Sequence, residues 1–152
     1  MSENLRDVKR KLNVMVKWQP AMTVTRVSVS RHKLCYVVKA NRVVPYRKGR
    51  SRIVYIGTTK RGITRLASSA ATRAPAILAR HGITSFDVHV VTSTPRQHIK
   101  TWWKLERALL LTFRDLYGVV PLFNSHGKKM RERDEFGYFA KARLKHVIED
   151  LG

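Results

Sequence analysis

Leu34-Cys35-Tyr36-Val37-Val38-Lys39 and Arg52-Ile53-Val54-Tyr55-Ile56-Gly57 decide how this chain folds. Both runs are rich in β-branched and aromatic residues, and the segment between them, Asn41 to Ser51, holds Pro45, Gly49 and four Arg or Lys. Two such runs around a polar, Gly- and Pro-bearing segment predict antiparallel strands joined by a hairpin loop. Side chains alternate between faces along a strand, so Leu34, Tyr36 and Val38 share one face, as do Ile53, Tyr55 and Gly57. The hairpin can therefore bring Tyr36 and Tyr55 to the same side.

Outward from the hairpin, β-branched content predicts a strand over Thr23 to Ser30, and alternation of Phe86, Val88 and Val90 predicts another over Ser85 to Thr92. Thr58 or Thr59 can cap a helix over Lys60 to Ala71, with Arg65 beside its apolar stripe. A second short helix follows Thr72, with Pro75 in its first turn and Gly82 as its stop. Thr94-Pro95 opens the longest helix, running to Tyr117 with Gly118 as its stop and carrying Ile99, Trp102, Trp103, Leu109, Leu110, Phe113 and Tyr117 as its stripe. A final helix is expected over Asp134 to Leu151. Asn4 to Val16 suggests a short helix in a basic lead-in that either lies on the domain or grips a phosphate backbone. The expected fold class is α/β (α+β), organised as a basic extension over 1–30, a core over 31–127 and a basic C-terminal helix over 128–152 packed on that core.

At 152 residues and 43% hydrophobic content the chain fits one compact domain with a real core, which excludes disorder along its whole length. It carries 31 Lys and Arg against 10 Asp and Glu, a formal charge of +21, spread from Arg6 to Lys145. A spread of this kind makes a positive face, and its self-repulsion is relieved most readily by a phosphate backbone. DNA is the expected partner, with RNA left open; a membrane and a small-molecule cofactor are not expected. Cys35 is the lone cysteine, so no intrachain disulfide and no cysteine-based zinc site can form. With no apolar signal segment in the first twenty residues and no window long enough to span a bilayer, the expectation is an intracellular protein.

Glu106 falls in the middle of the long helix's apolar stripe. An ionised carboxylate there costs several kcal/mol unless a partner compensates it, roughly as for any buried charge. Glu106 therefore either pairs with an Arg, tips into solvent at the edge of the stripe, or holds a metal; in a protein built for phosphates that metal is Mg²⁺ or Mn²⁺, which takes one or two protein carboxylates and keeps most of its waters. Tyr36 and Tyr55 are either core tyrosines with bonded hydroxyls or, on one face beside Gly57, part of a site. Arg65 either offers a fixed fork of donors for a phosphate oxygen or is one of the chain's many solvated cations.

Tyr36-Val37-Val38-Lys39-Ala40-Asn41, Val54-Tyr55-Ile56-Gly57, Arg65 ten positions after Tyr55, Glu106 and Pro121-Leu122-Phe123-Asn124 occur in the order of the GIY-YIG nuclease motifs, and residues 34 to 126 resemble that superfamily. The resemblance implies a small central three-stranded antiparallel sheet flanked by helices and DNA cleavage with one divalent metal ion. It also implies roles: Tyr36 activating the attacking water, Tyr55 positioning water or phosphate, Arg65 stabilising phosphate charge, Glu106 holding the metal and Asn124 bracing the site. The chain departs from the pattern in three places. Leu34-Cys35-Tyr36 stands for Gly-Ile-Tyr, Ser69 occupies the position where many members carry His or Tyr, and the gap from Glu106 to Asn124 is long. His126 is a conceivable substitute for the missing residue.

Lys60, Arg61 and Arg73 on one side, and Lys128, Lys129 and Arg131 on the other, are expected to contact phosphates, which sets affinity without reading sequence. Trp102 and Trp103 either stack bases or pack in the core. The functional expectation is thus a metal-dependent DNA endonuclease. Its alternative is a non-catalytic nucleic-acid-binding protein of the same fold, or a basic nucleoid- or ribosome-associated module.

Overall fold

The structure is a computed structural model that describes residues 11–15, 18 and 33–152. Among these residues the chain forms a three-stranded antiparallel sheet and four helices, a mixed α/β fold. In chain order they are β1 (Leu34–Tyr46), β2 (Gly49–Thr59), α1 (Gly62–Leu78), β3 (Phe86–Val91), α2 (Thr101–Tyr117), α3 (Glu135–Tyr138) and α4 (Lys141–Leu151). The sheet order is β2-β1-β3, so β1 lies in the middle.

The expected loop over Asn41 to Ser51 is instead mostly strand. Both strands run on until only Arg47 and Lys48 make the turn, and Gly49 takes the positive φ of 120° needed to start β2. Pro45 is tolerated because β3 pairs with β1 only as far as Ala40, leaving no strand on that side to need its missing N–H.

Pairing between β1 and β2 slips by one residue where Val38 faces Tyr55 and Lys39 faces Ile53, leaving Val54 as a β-bulge. The bulge resets the alternation. Ile53 therefore packs on the opposite side from Tyr55, against the prediction that they share a face, while Val54 and Tyr55 fall together.

Each sheet face has its own cover. Cys35, Val37, Ile53 and Ile56 pack against Leu105, Leu109 and Phe113 of α2 and against Leu144 and Ile148 of α4. Tyr36, Val38, Val54 and Tyr55 pack against Leu66 and Ile77 of α1.

Three helix boundaries differ from expectation. α1 continues through Thr72, whose hydroxyl donates back to the Ser68 carbonyl, and through Pro75; Pro75 and Ala71, whose carbonyl it leaves without a helical bond, are both exposed to solvent. α2 starts at Thr101, because His98 adopts a positive φ of 61° and the preceding turn closes through Ile99 N–H to the Arg96 carbonyl. Its predicted stop holds: Gly118, at φ 82°, returns its N–H to the Arg114 carbonyl at 2.8 Å. The expected final helix is broken at Phe139 and Ala140, both extended, which lets α3 seat Glu135 against α2 while α4 turns its own face to the core. Residues 11–15 are irregular and exposed where a helix over Asn4 to Val16 was expected, and the rest of that helix and the strand over Thr23 to Ser30 lie outside the described residues.

Candidate active site

Tyr36 pairs with Gly57 and Val38 with Tyr55, so the two tyrosines are diagonal neighbours across the hairpin. Their ring centroids lie 5.8 Å apart. Both rings close over Gly57: a Cβ there would come within 2.6 Å of Tyr55 and 2.9 Å of the Tyr36 hydroxyl. Glycine is required by that contact, since no side chain fits beneath the rings.

Arg73 of α1 holds Tyr55 twice. Its Nη2 donates to the Tyr55 hydroxyl at 2.8 Å, and its guanidinium carbon sits 3.9 Å from the ring centroid. Burial pushes the Tyr55 phenol up to about 12, with the Tyr36 hydroxyl and the Glu106 charge adding to the rise and Arg73 opposing it. Tyr55 is therefore neutral at physiological pH and keeps its proton.

Glu106 lies on the buried face of α2, 8% exposed, as its place in the stripe predicts. It lines an open recess of about 440 Å³ together with Tyr55, Thr58, Lys60, Lys100, Trp102, Trp103 and His126. His126 Nε2 stands 3.3 Å from Glu106 Oε1. The carboxylate's field also reaches Cys35, whose thiol is raised well above its ordinary range, first by burial and then by Glu106.

Asn124 is buried and clamps the backbone of β2: its Oδ1 accepts from Ile56 N–H at 3.0 Å and its Nδ2 donates to the Ile56 carbonyl at 2.8 Å. Phe123 N–H adds a bond to the Val54 carbonyl, and the Tyr46 hydroxyl donates to the Ile53 carbonyl at 2.6 Å. Because β2 is an edge strand, these groups satisfy backbone that would otherwise be left unpaired beside the tyrosines. Asn124 thus fixes the strand that carries Tyr55, and brings His126, two residues on, to the recess.

The remaining predicted residues divide. Lys60 lines the recess with its ammonium 5.5 Å from the Trp102 ring centre, and Arg61 is exposed at the start of α1. Arg73 is drawn in to Tyr55, as described. Arg65 is exposed on α1 and outside the recess lining, so the structure does not gather it with Glu106. Lys128, Lys129 and Arg131 are exposed on a loop whose backbone is tied to α2: Arg114 donates to the carbonyls of Gly127, Lys128 and Met130, and Arg107 to that of Arg131.

Sequence reasoning missed Arg107 and Glu135. Glu135 is 1% exposed and accepts from Arg107 Nε at 2.6 Å and from Arg133 N–H at 2.7 Å. Burial alone would raise its carboxyl, but the bonds from Arg107, Arg133 and its own backbone outweigh that and hold it below the ordinary glutamate range. An acidic residue within reach of a helix-borne Arg on the basic stretch after residue 128 is too common a pattern to have marked it.

As a metal site the recess offers one carboxylate and a neighbouring imidazole; among the described residues no group of three or more ligating side chains is gathered anywhere. That donor set fits an ion such as Mg²⁺, which binds through one or two carboxylates and completes its shell with water and substrate phosphate. It does not fit a closed, protein-ligated zinc centre. Among the described residues no helix is long and apolar enough to cross a membrane. Compared with family models, curated proteins and solved structures, the chain matches none.

Proposed function

We propose that this chain is a metal-dependent endonuclease that hydrolyses DNA phosphodiester bonds through a GIY-YIG-type site. The observation that carries the reading is Glu106, a buried carboxylate that opens onto a recess with Lys60 and Lys100 on its walls. A protein that only binds phosphates gains nothing from an anion there, since it would repel the ligand.

Glu106 would hold the divalent ion, with His126 next to it. When bound, Mg²⁺ or Mn²⁺ supplies positive charge at the phosphate and lowers the cost of forming the nucleophile. The chain's own residues do the rest. Lys60 and Lys100 draw the phosphate into the recess, and Arg61, Arg65, Lys128, Lys129 and Arg131 hold the flanking backbone. Tyr55, neutral and fixed by Arg73, orients water or phosphate by hydrogen bonding. Water activation falls to Tyr36, whose hydroxyl lies over Gly57 in the same cradle. Asn124 keeps β2, and hence the cradle, in place.

The test is purified protein with Mg²⁺ or Mn²⁺ on labelled single-stranded, duplex and branched DNA, with a chelator control. Metal-dependent cutting that Tyr36→Phe removes, with DNA affinity retained, is the expected result; full activity in that variant would sink the role given to Tyr36. A second reading, a binding protein with a degenerate site, is favoured by Ser69 and by the exposed position of Arg65, and it predicts no cutting of any substrate.

A further inference from the structure

Trp103 is 37% exposed at the wall of the Glu106 recess, whereas its helix neighbours Leu105, Ala108 and Leu109 are buried in the core. Trp102, half-buried, lines the same recess, and single exposed aromatics are common, so exposure by itself does not distinguish Trp103. Its support is more telling than its exposure. The Arg107 guanidinium lies 5.3 Å from the Trp103 ring centre, one helical turn along α2. Arg107 is itself immobilised, by Glu135 at 2.6 Å and by the Arg131 carbonyl at 2.7 Å. The buried Glu135 therefore fixes Arg107, and Arg107 backs the indole, which makes a rigid aromatic surface next to Glu106. Lys60 and Lys100 line the same recess and supply positive charge for a nucleotide's phosphate.

We infer that Trp103 is a stacking platform for an unpaired nucleobase, so that the substrate presents a single-stranded or extruded nucleotide beside the phosphate that is cut. A base inside a duplex has both faces covered by its neighbours and cannot reach an indole; one that is unstacked can. A recess of about 440 Å³ falls within the roughly 300–1,000 Å³ range of small-ligand sites, so it has room for one unstacked nucleotide. This deepens the endonuclease reading and rests on it for the word substrate, but the platform itself needs no metal and no cleavage.

The experiment uses the full chain in chelator, where nothing is cut, and measures binding of a thymidine oligonucleotide and of a blunt duplex. Trp103→Ala should weaken the oligonucleotide by roughly 5- to 150-fold, the range of a lost base–aromatic stack, and leave the duplex nearly unchanged. Trp103→Phe should restore most of the loss and Trp103→Leu should not. In the wild-type protein the oligonucleotide should quench tryptophan emission, and Trp103→Phe should remove most of that quench while Trp102→Phe, whose ring lines the same recess, removes the smaller part, so the result stands even if the alanine variant folds poorly. Wild-type oligonucleotide affinity in Trp103→Leu, an equal loss for the duplex, or a quench that mostly survives Trp103→Phe would each overturn the platform. A protein that never cuts DNA yet shows the expected binding pattern would fail as an endonuclease and keep the platform; one that cuts but ignores Trp103 would do the reverse.

Discussion

Among the described residues two glutamates are buried, Glu106 at 8% and Glu135 at 1% exposure, and their Gln variants should behave in opposite ways. Glu135 is bonded to an Arg107 that is itself only 11% exposed, so removing its charge strands a buried cation. Breaking such a pair costs roughly 3–5 kcal/mol. For a domain of this size each kcal/mol moves the melting temperature by about 2–4 °C, so Glu135→Gln should melt lower by about 6 °C or more. Glu106 has His126 at 3.3 Å, but that imidazole is 54% exposed, and a pair of this kind is worth about 1 kcal/mol at most. Against that stands the desolvation of the carboxylate, which Gln removes. Glu106→Gln should therefore melt within about 3 °C of wild type, or above it, while losing Mg²⁺-dependent cutting altogether. The assay is thermal denaturation at pH 7 in chelator, run beside cleavage with Mg²⁺. A Glu106→Gln protein that melts as low as Glu135→Gln and still cleaves would show that Glu106 belongs to the scaffold.

Gly57→Ala places a Cβ 2.6 Å from the Tyr55 ring and must push both tyrosines aside; overpacking of this kind costs roughly 1–3 kcal/mol, and catalysis should fall much further than that loss of stability explains. Because the Glu135 carboxyl is held below its ordinary range, its contribution is fully present above the unfolded value of about 4.3 and lost as pH falls through the folded one. The gap in melting temperature between wild type and Glu135→Gln should thus be constant near neutrality and shrink below about pH 4; a gap that widens on acidification would contradict the assignment. Affinity for duplex DNA should fall with salt at a logarithmic slope of about −0.9 per phosphate neutralised, and a flat response would remove nucleic acid as the partner.

The secondary structure was legible wherever a local signal had no competitor. Gly118 ends α2 because only a residue at ease with positive φ fits there, and the β-branched runs around Tyr36 and Tyr55 form strands as their composition requires. The misreadings have physical causes. Pro45 and Gly49 look like loop residues, yet the outer part of the hairpin has no third strand against it, and so tolerates both. Pro75 reads as a helix start, but it and Ala71 lie on an exposed helix face, where the lost bond is tolerated. The bulge at Val54 has no mark in the sequence at all, since Ile, Val and Tyr are all good strand formers; it becomes visible only once the register is known.

The site divides along the same line, between local pattern and long-range contact. Glu106 could be picked out because it interrupts a periodic apolar stripe, and the periodicity of a helix is a local property. Asn124 could be picked out only through the resemblance of Pro121-Leu122-Phe123-Asn124 to the GIY-YIG motif series, and its bond to Ile56, 68 residues away, could not be read at all. Arg65 and Arg73 lie two helical turns apart on α1, and nothing in their neighbours says that the second is the one that grips Tyr55. What selects Arg73 is the position of Tyr55 on a strand re-phased by the bulge, a fact about β2 rather than α1. Glu135 is the extreme case: it sits in a helix of four residues, with no stripe to interrupt, and its meaning comes from the Arg133 N–H beside it and from Arg107 on another element. A carboxylate buried without a good protein partner and one buried with a good partner are alike in the sequence. Only the three-dimensional partners separate them: Glu135 is bonded to Arg107 and the Arg133 N–H, whereas Glu106 has a half-exposed imidazole beside it, and that difference is why we assign the divalent ion to Glu106.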